Sequence, residues 1–305
     1  MRSLYFLQYV LFLIFFMPVA ALPYAISLRL GRTLGGLGYH LLGKRREIAV
    51  LNIRNAMDKG AIEWPGGAES MAKEVFRNLG QWFVEIVRIL FGFGGDLVKG
   101  IRVVGIENIH KASANGHGIL GVSAHMGNWE LMVMSLTEKL GLTMHGVAKK
   151  QKNPYINDFI IRARQKYGTR IIYKEGVLRK FISILRDGGA VGMMLDQHVS
   201  ANMGFRMDFL GSPAWVSRTP ATIARKTGAR LLPMFLHYDS KERAHILTIL
   251  PEVPSGGDME ETTRQLNSSV EEFIRHSPAQ WLWIHRRWKN DPLAPDEDEE
   301  DLDSL

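Results

Sequence analysis

The sequence predicts an α/β fold: a mostly parallel central sheet with helices on both faces, preceded by an N-terminal transmembrane or membrane-associated helix. Three observations carry that prediction. From residue 101 onward, short continuous apolar runs alternate with longer stretches of helical periodicity, and apolar strands separated by helices belong to a sheet buried on both faces. From Leu4 to Leu28 there is no charged residue, and about 25 such residues are enough to cross a bilayer with some tilt. A hydrophobic content of 46% over 305 residues supplies the core of one globular domain plus an anchor.

In chain order, Arg2 precedes the apolar run, Pro18 and Pro23 kink or shorten it, and Arg29, Arg32, Lys44, Arg45 and Arg46 follow it. The larger positive cluster lies downstream, which places the main domain in the cytoplasm. Leu41 to Met57 reads as a basic amphipathic helix, lying on the membrane or serving as an ordinary surface helix. Pro65-Gly66-Gly67 breaks the chain, and Glu69 to Leu90 carries an apolar stripe that packs a core. Strands follow at 101–104, 119–123, 144–148, 170–173, 190–195, 231–237 and 245–250. Helices fill 129–140, 154–166, 177–187, 220–226 and 260–275. The domain plan is an anchor at 1–30, a main domain at 31–295 with a helical lead-in to residue 100 and an α/β core from 101, and an acidic disordered tail at 296–305.

The tail holds seven acids and no base. Removing them from 31 acids leaves 24 against 38 bases, so the body stands at about +14 rather than the formal +7. Such a body suits an anionic partner. No cysteine is present, which excludes disulfides and thiolate metal sites. No Walker loop or Gly-x-Gly-x-x-Gly fingerprint occurs, which argues against nucleotide chemistry.

Candidate site residues gather where strands end. His125 follows the run Ile119 to Ser123, and Glu130 falls in the first turn of the next helix, with Gly127 letting the backbone fold back so that the two side chains meet. A histidine held by a carboxylate is fixed in one tautomer and can take a proton from an alcohol through its other nitrogen. Asn128 is a helix cap whose side chain accepts a backbone N–H. Lys149, Lys150 and Lys152 precede the cap-and-proline pair Asn153-Pro154, and the helix it starts puts Asp158 and Arg162 four apart on one face. Asp196 and Gln197 stand where another buried strand ends. Pro278 to Lys289 interleaves Trp281, Trp283 and Trp288 with Arg286 and Arg287. That pattern fits aromatic rings at an apolar interface with cations on phosphates, a nucleic-acid stacking surface, or a segment packed on the core.

His-x4-Glu after a buried strand, Lys152-Asn153-Pro154 with Arg162 after it, Asp196-Gln197 at a strand end, and Pro-x-Gln-Trp-x-Trp-x-His-Arg-Arg-Trp from Pro278 to Trp288 occur in that order. The sequence resembles the late lauroyl and myristoyl acyltransferases of bacterial lipid A biosynthesis, in the lysophospholipid acyltransferase superfamily. The resemblance implies a membrane-bound O-acyltransferase of the inner membrane, with its catalytic domain facing the cytoplasm. It would move a fatty acyl chain from an acyl carrier protein or acyl-CoA thioester to a hydroxyl of an anionic glycolipid, with no metal or other cofactor and no nucleic acid partner. It further implies His125 as general base oriented by Glu130, and substrate contacts from Asn128, Lys149, Arg162, Asp196, Gln197 and Arg286. Ala148-Lys149-Lys150 replaces a Tyr-Arg-Pro triplet common in that family, so Lys149 offers a point charge in place of a guanidinium fork. Two other readings stand beside it: a metal-assisted hydrolase using His125, Glu130, Asp196 and His198, and a non-enzymatic polyanion binder using Trp281, Trp283, Arg286 and Arg287.

Overall fold

The computed structural model describes residues 2–114, 116–173 and 176–288. The acidic segment 296–305 and the end of the expected core, 289–295, lie outside the described residues.

The N-terminal apolar run forms two helices rather than one. Helix α1 spans Arg2–Ala21 and α2 spans Tyr24–Leu41. Pro23 cannot donate to a continuing helix and disfavours helical backbone at Leu22, so the break falls there. Helix α3 (Gly43–Asp58) is the basic amphipathic segment. It buries Ile48, Ala49, Asn52, Ile53 and Ala56 against the domain, so it acts as a packing helix. Helix α4 (Gly67–Leu90) follows. It meets α2 through glycine: a Cβ on Gly80 would lie 2.0 Å from the Gly31 carbonyl oxygen, and one on Gly35 would lie 2.1 Å from that of Phe76. Only small residues let the two backbones approach so closely.

The α/β core runs α5 (Gly95–Gly100), β1 (Arg102–Val104), α6 (Ile106–Ser113), β2 (Ile119–Ser123), α7 (Trp129–Leu140), β3 (Met144–Ala148), α8 (Pro154–Lys166), β4 (Arg170–Tyr173), α9 (Val177–Arg186) and β5 (Ala190–Met194). It continues with β6 (Gly204–Phe209), β7 (Ser212–Ser217), α10 (Thr219–Thr227), β8 (Arg230–Asp239), β9 (Ala244–Ile249) and α11 (Met259–His276). Seven strands pair in the order β1-β9-β8-β2-β5-β3-β4. All neighbours are parallel except β8 and β9, which form an antiparallel hairpin. Along β8, Leu231 and Phe235 enter one apolar core while Leu232, Met234 and Leu236 enter a second on the other face. That period of two is why the strand reads as continuously apolar.

The hairpin β6–β7 was not expected. Its alternation was present in the sequence, with buried Met207, Phe209, Ala214 and Val216 alternating along the strands with exposed or half-buried residues. Leu210 and Gly211 both take positive φ (52° and 81°), the turn that matches strand twist.

Candidate active site

Strands β2 and β5 are parallel neighbours in register, with Ser123 beside Met194. Two residues past each end come His125 and Asp196, so the ladder itself delivers them side by side. Leu195 N still donates to Ser123 O (2.8 Å). The His125 backbone N–H donates to Asp196 Oδ2 (2.8 Å), and His125 Nδ1 lies 2.8 Å from Asp196 Oδ1. Trp281 Nε1 adds a second donor on Oδ2 at 2.7 Å.

Electrostatics fix the protonation pattern. Burial opposes ionisation of Asp196, but the His125 ring, the Trp281 indole and the His125 backbone N–H overcome it and hold the carboxyl down at about 2. An ionised Asp196 requires the proton of neutral His125 on Nδ1, which leaves the Nε2 lone pair open. Burial opposes the imidazolium too, yet Asp196, and more weakly Glu130, push the His125 pKa above its ordinary value. The side chain is 18% exposed, and Nε2 has no protein partner among the described residues. A partly open imidazole with one nitrogen tied to a carboxylate is equipped to accept a proton.

The carboxylate bracing the ring is therefore Asp196 and not Glu130. Glu130 stands in the first turn of α7 as expected, but both its oxygens turn to α8, where Arg164 Nε (3.0 Å) and Nη2 (2.7 Å) form a two-pronged pair with it. Arg162, named from the sequence, is exposed on another side of the same helix. The arginine that pairs with Glu130 is two residues on, and a helix turns about 200° in two residues. Glu130 followed by Arg164 left no spacing signal, because the pair joins two helices.

Asn128 occupies the cap position of α7 without capping it. It is buried, and its Nδ2 donates to Glu85 Oε2 (3.0 Å) and Trp82 O (3.4 Å) while its Oδ1 has no partner among the described residues. Asn153 does cap α8, accepting from Tyr155 N (3.0 Å) and Ile156 N (3.4 Å). Lys149 is exposed just past β3, and Gln197 and Arg286 are half-buried.

The tryptophan segment is a brace. Trp281 and Trp283 are 1% and 0% exposed, and Arg287 is 0% exposed. None of the three can stack on a base or rest at a lipid interface, so the polyanion surface built on them is not there. Instead Trp281 bridges Met126, Leu282 N donates to His125 O (3.0 Å), and Gly127 N donates to Gln280 O (2.8 Å). The Gln280 amide completes the clamp on β8 with bonds to the Tyr238 backbone N and O, both 2.8 Å. Gly127 has φ 55°, and a Cβ there would lie 1.9 Å from Leu236 O, so no other residue fits. Arg287 packs its guanidinium 4.6 Å from the centre of the Phe209 ring and donates to Trp215 O (2.7 Å). Burial lowers its pKa to about 10, partly offset by Asp196 and Glu271.

Among the described residues, no three side chains of His, Asp or Glu converge as metal ligands. Of the set offered for a metal hydrolase, Glu130 is engaged by Arg164 instead.

A family model described as bacterial lipid A biosynthesis acyltransferase matches residues 2–290. The lipid A biosynthesis palmitoleoyltransferase of Escherichia coli (strain K12) is 26% identical over 277 residues, covering 90% of this chain and 88% of its own. The lipid A biosynthesis lauroyltransferase of the same strain is 26% identical over 278 residues, covering 90% and 89%. The phosphatidylinositol mannoside acyltransferase of Mycobacterium tuberculosis (strain CDC 1551 / Oshkosh) is 26% identical over 274 residues, covering 81% and 85%.

Proposed function

The chain belongs to the bacterial lipid A biosynthesis acyltransferase family, and from that premise we propose that it transfers a fatty acyl chain from a carrier thioester to a hydroxyl of a lipid A precursor, with His125 as general base. The observation that carries the reading is the His125–Asp196 pair with its outer nitrogen open. The acceptor hydroxyl attacks the thioester carbonyl as its proton passes to His125 Nε2. Asp196 stabilises the imidazolium so formed, the tetrahedral intermediate collapses, and the leaving thiolate takes the proton back. Backbone N–H groups at the start of α7 are near enough in the chain to favour the oxyanion. The chemistry needs no metal or redox cofactor. The donor is acyl carrier protein or acyl-CoA as co-substrate, and Lys149, Gln197 and Arg286 are the candidate contacts for phosphate or carrier. The enzyme works at the inner membrane with this domain in the cytoplasm, a reading supported by the apolar α1 and by the excess of basic residues, which suits an anionic cytoplasmic leaflet.

A second acceptor class has an observation behind it, because one relative of equal identity is named for phosphatidylinositol mannoside. The same machinery would serve a phospholipid, glycolipid or aminolipid hydroxyl. Mass spectrometry of membrane lipids separates these outcomes. Loss of the gene removes one acyl mass from one lipid class, the wild-type gene restores it, and His125→Ala, slowed by about 10²–10⁴-fold, does not. Full restoration by a folded His125→Ala protein overturns the assignment.

A further inference from the structure

Helix α1 is 20 residues long and apolar enough to span a bilayer, yet it is fastened to the domain along its whole length. Near its start, Asn153 Nδ2 donates to Tyr5 O (2.8 Å) and Gln8 Oε1 (3.1 Å). In the middle, Phe12 packs edge-on against Phe159 of α8 at 5.8 Å and stacks on Phe91 at 5.9 Å, while Phe16 meets Phe83 of α4 at 5.6 Å. At its end, Arg88 donates to Ala20 O (2.8 Å), to Leu22 O and to Ser27 Oγ (3.1 Å). Tyr5, Tyr9, Phe12 and Phe16 thus line the face turned to the protein. Leu4, Leu7, Leu11, Ile14 and Phe15 line the opposite face and are 54% to 69% exposed. A helix apolar all round has one face for protein and one for something equally apolar.

We propose that α1 lies in the plane of the membrane surface as a docked wall of the domain, its outer stripe sunk among the lipid chains, and does not cross the bilayer. Its neighbour decides this. Helix α8 lies beside α1 and exposes Asp158, Arg162, Gln165 and Lys166. Carrying α1 across the hydrocarbon while docked would drag those charges in with it, and such groups are rarely found in that environment. Leaving α8 behind would strip the partners from Asn153 and from the Arg88 guanidinium, both buried. Cations also stand at both ends of α1. Arg2 and the exposed Lys149, Lys150 and Lys152 are near the end held by Asn153, and the exposed Arg29 follows the other. A spanning helix concentrates its cations on one side. A helix lying flat sets both ends among the anionic headgroups of one leaflet.

This inference does not depend on the acyl-transfer chemistry. The chain has no cysteine, so Ser3→Cys, at the start of α1, and Ser240→Cys, in the exposed β8–β9 turn, each place one thiol. Each full-length variant is treated with a membrane-impermeant maleimide in intact spheroplasts and in inverted vesicles. Labelling of both thiols in the same preparation is the expected result. Labelling of Ser3→Cys only in the preparation that leaves Ser240→Cys unlabelled overturns the proposal, and so does protection of Ser3→Cys in both. If both label only in spheroplasts, the flat placement stands and the cytoplasmic orientation fails.

Discussion

Two histidine–carboxylate pairs stand among the described residues, and one keeps its second ring nitrogen open while the other is sealed as a strut. His245 Nε2 lies 3.0 Å from Glu85 Oε1, much as His125 Nδ1 lies 2.8 Å from Asp196 Oδ1. Glu85 is fully buried and saturated: Tyr24 Oη (2.9 Å), Gln81 Nε2 (3.1 Å) and Asn128 Nδ2 (3.0 Å) also donate to it. The other nitrogen of His245 is sealed from solvent without a hydrogen-bond partner among the described residues. The outer nitrogen of His125 opens on a side chain that is 18% exposed. A carboxylate beside an imidazole therefore does not by itself equip a base, which also needs access to the second ring nitrogen. The two pairs are joined through one motif, since Asn128, three residues after His125, donates to Glu85 and ties the strut to the base.

Substitutions that exchange the two behaviours test the contrast. Asp196→Asn should cost the most in turnover, on the order of 10²–10⁴-fold, because a neutral amide no longer fixes the tautomer or the imidazolium. It should also move the acidic limb of the kcat/KM profile to lower pH. A general base at His125, as proposed, works unprotonated, Asp196 raises its proton affinity, and removing that carboxylate lets the base stay free in more acidic solution. An unmoved limb would separate Asp196 from the proton transfer. The same pair has a stability signature. Asp196, at about 2, stabilises the fold above the unfolded carboxylate range and loses that contribution as pH falls towards 2. The raised His125 contributes fully below the unfolded histidine value and loses it as pH rises through the folded one. These are two views of one interaction and count once.

Glu85→Ala should act on the other axis, destabilising the fold by about 3–5 kcal/mol in thermal or urea unfolding, the usual cost of stripping one member from a buried ionic cluster. Burial opposes the ionised Glu85, but His245, Asn128 and Gln81 hold its pKa below the ordinary value. Its contribution is therefore present above the unfolded carboxylate range and lost as pH falls through the folded value. Loss of turnover without loss of stability would make the buried pair catalytic after all. Glu130→Ala should have the smallest effect, about tenfold in kcat/KM or about 1.4 kcal/mol, since the Glu130–Arg164 pair is partly solvated at 26% and 21% exposure. A loss as deep as that of Asp196→Asn would return Glu130 to the role of orienting carboxylate.

Seven of the strands and five helices of the α/β core, α7 to α11, were legible from periodicity alone, and α7, Trp129–Leu140, matches residue for residue, whereas the short helices α5 and α6 were not read. His125 and Asp196 were each visible as polar groups ending an apolar run. Their pairing was not, because it depends on β2 and β5 being neighbours in register, and nothing in the sixty-odd intervening residues encodes that adjacency locally. Arg164 was missed for a related reason. No spacing in the sequence ties it to Glu130, and the pair forms through helix rotation and the packing of α8 against α7. The sequence left the tryptophans open between a lipid interface, a stacking surface and a segment packed on the core, since aromatic residues beside cations read alike in all three, and their burial selects the last.

By itself the sequence determined most of the elements and the strand ends where polar groups collect, His125 among them, since these follow from local periodicity and from the cost of leaving polar groups where a buried strand stops. Only the tertiary structure decided which carboxylate holds the ring, which arginine holds Glu130, and that an apolar helix of spanning length is bound along its whole side to the domain. Those choices are made by strand order, helix rotation and contacts between residues far apart in the chain, and pairwise proximity of that kind exists only once the chain has closed on itself.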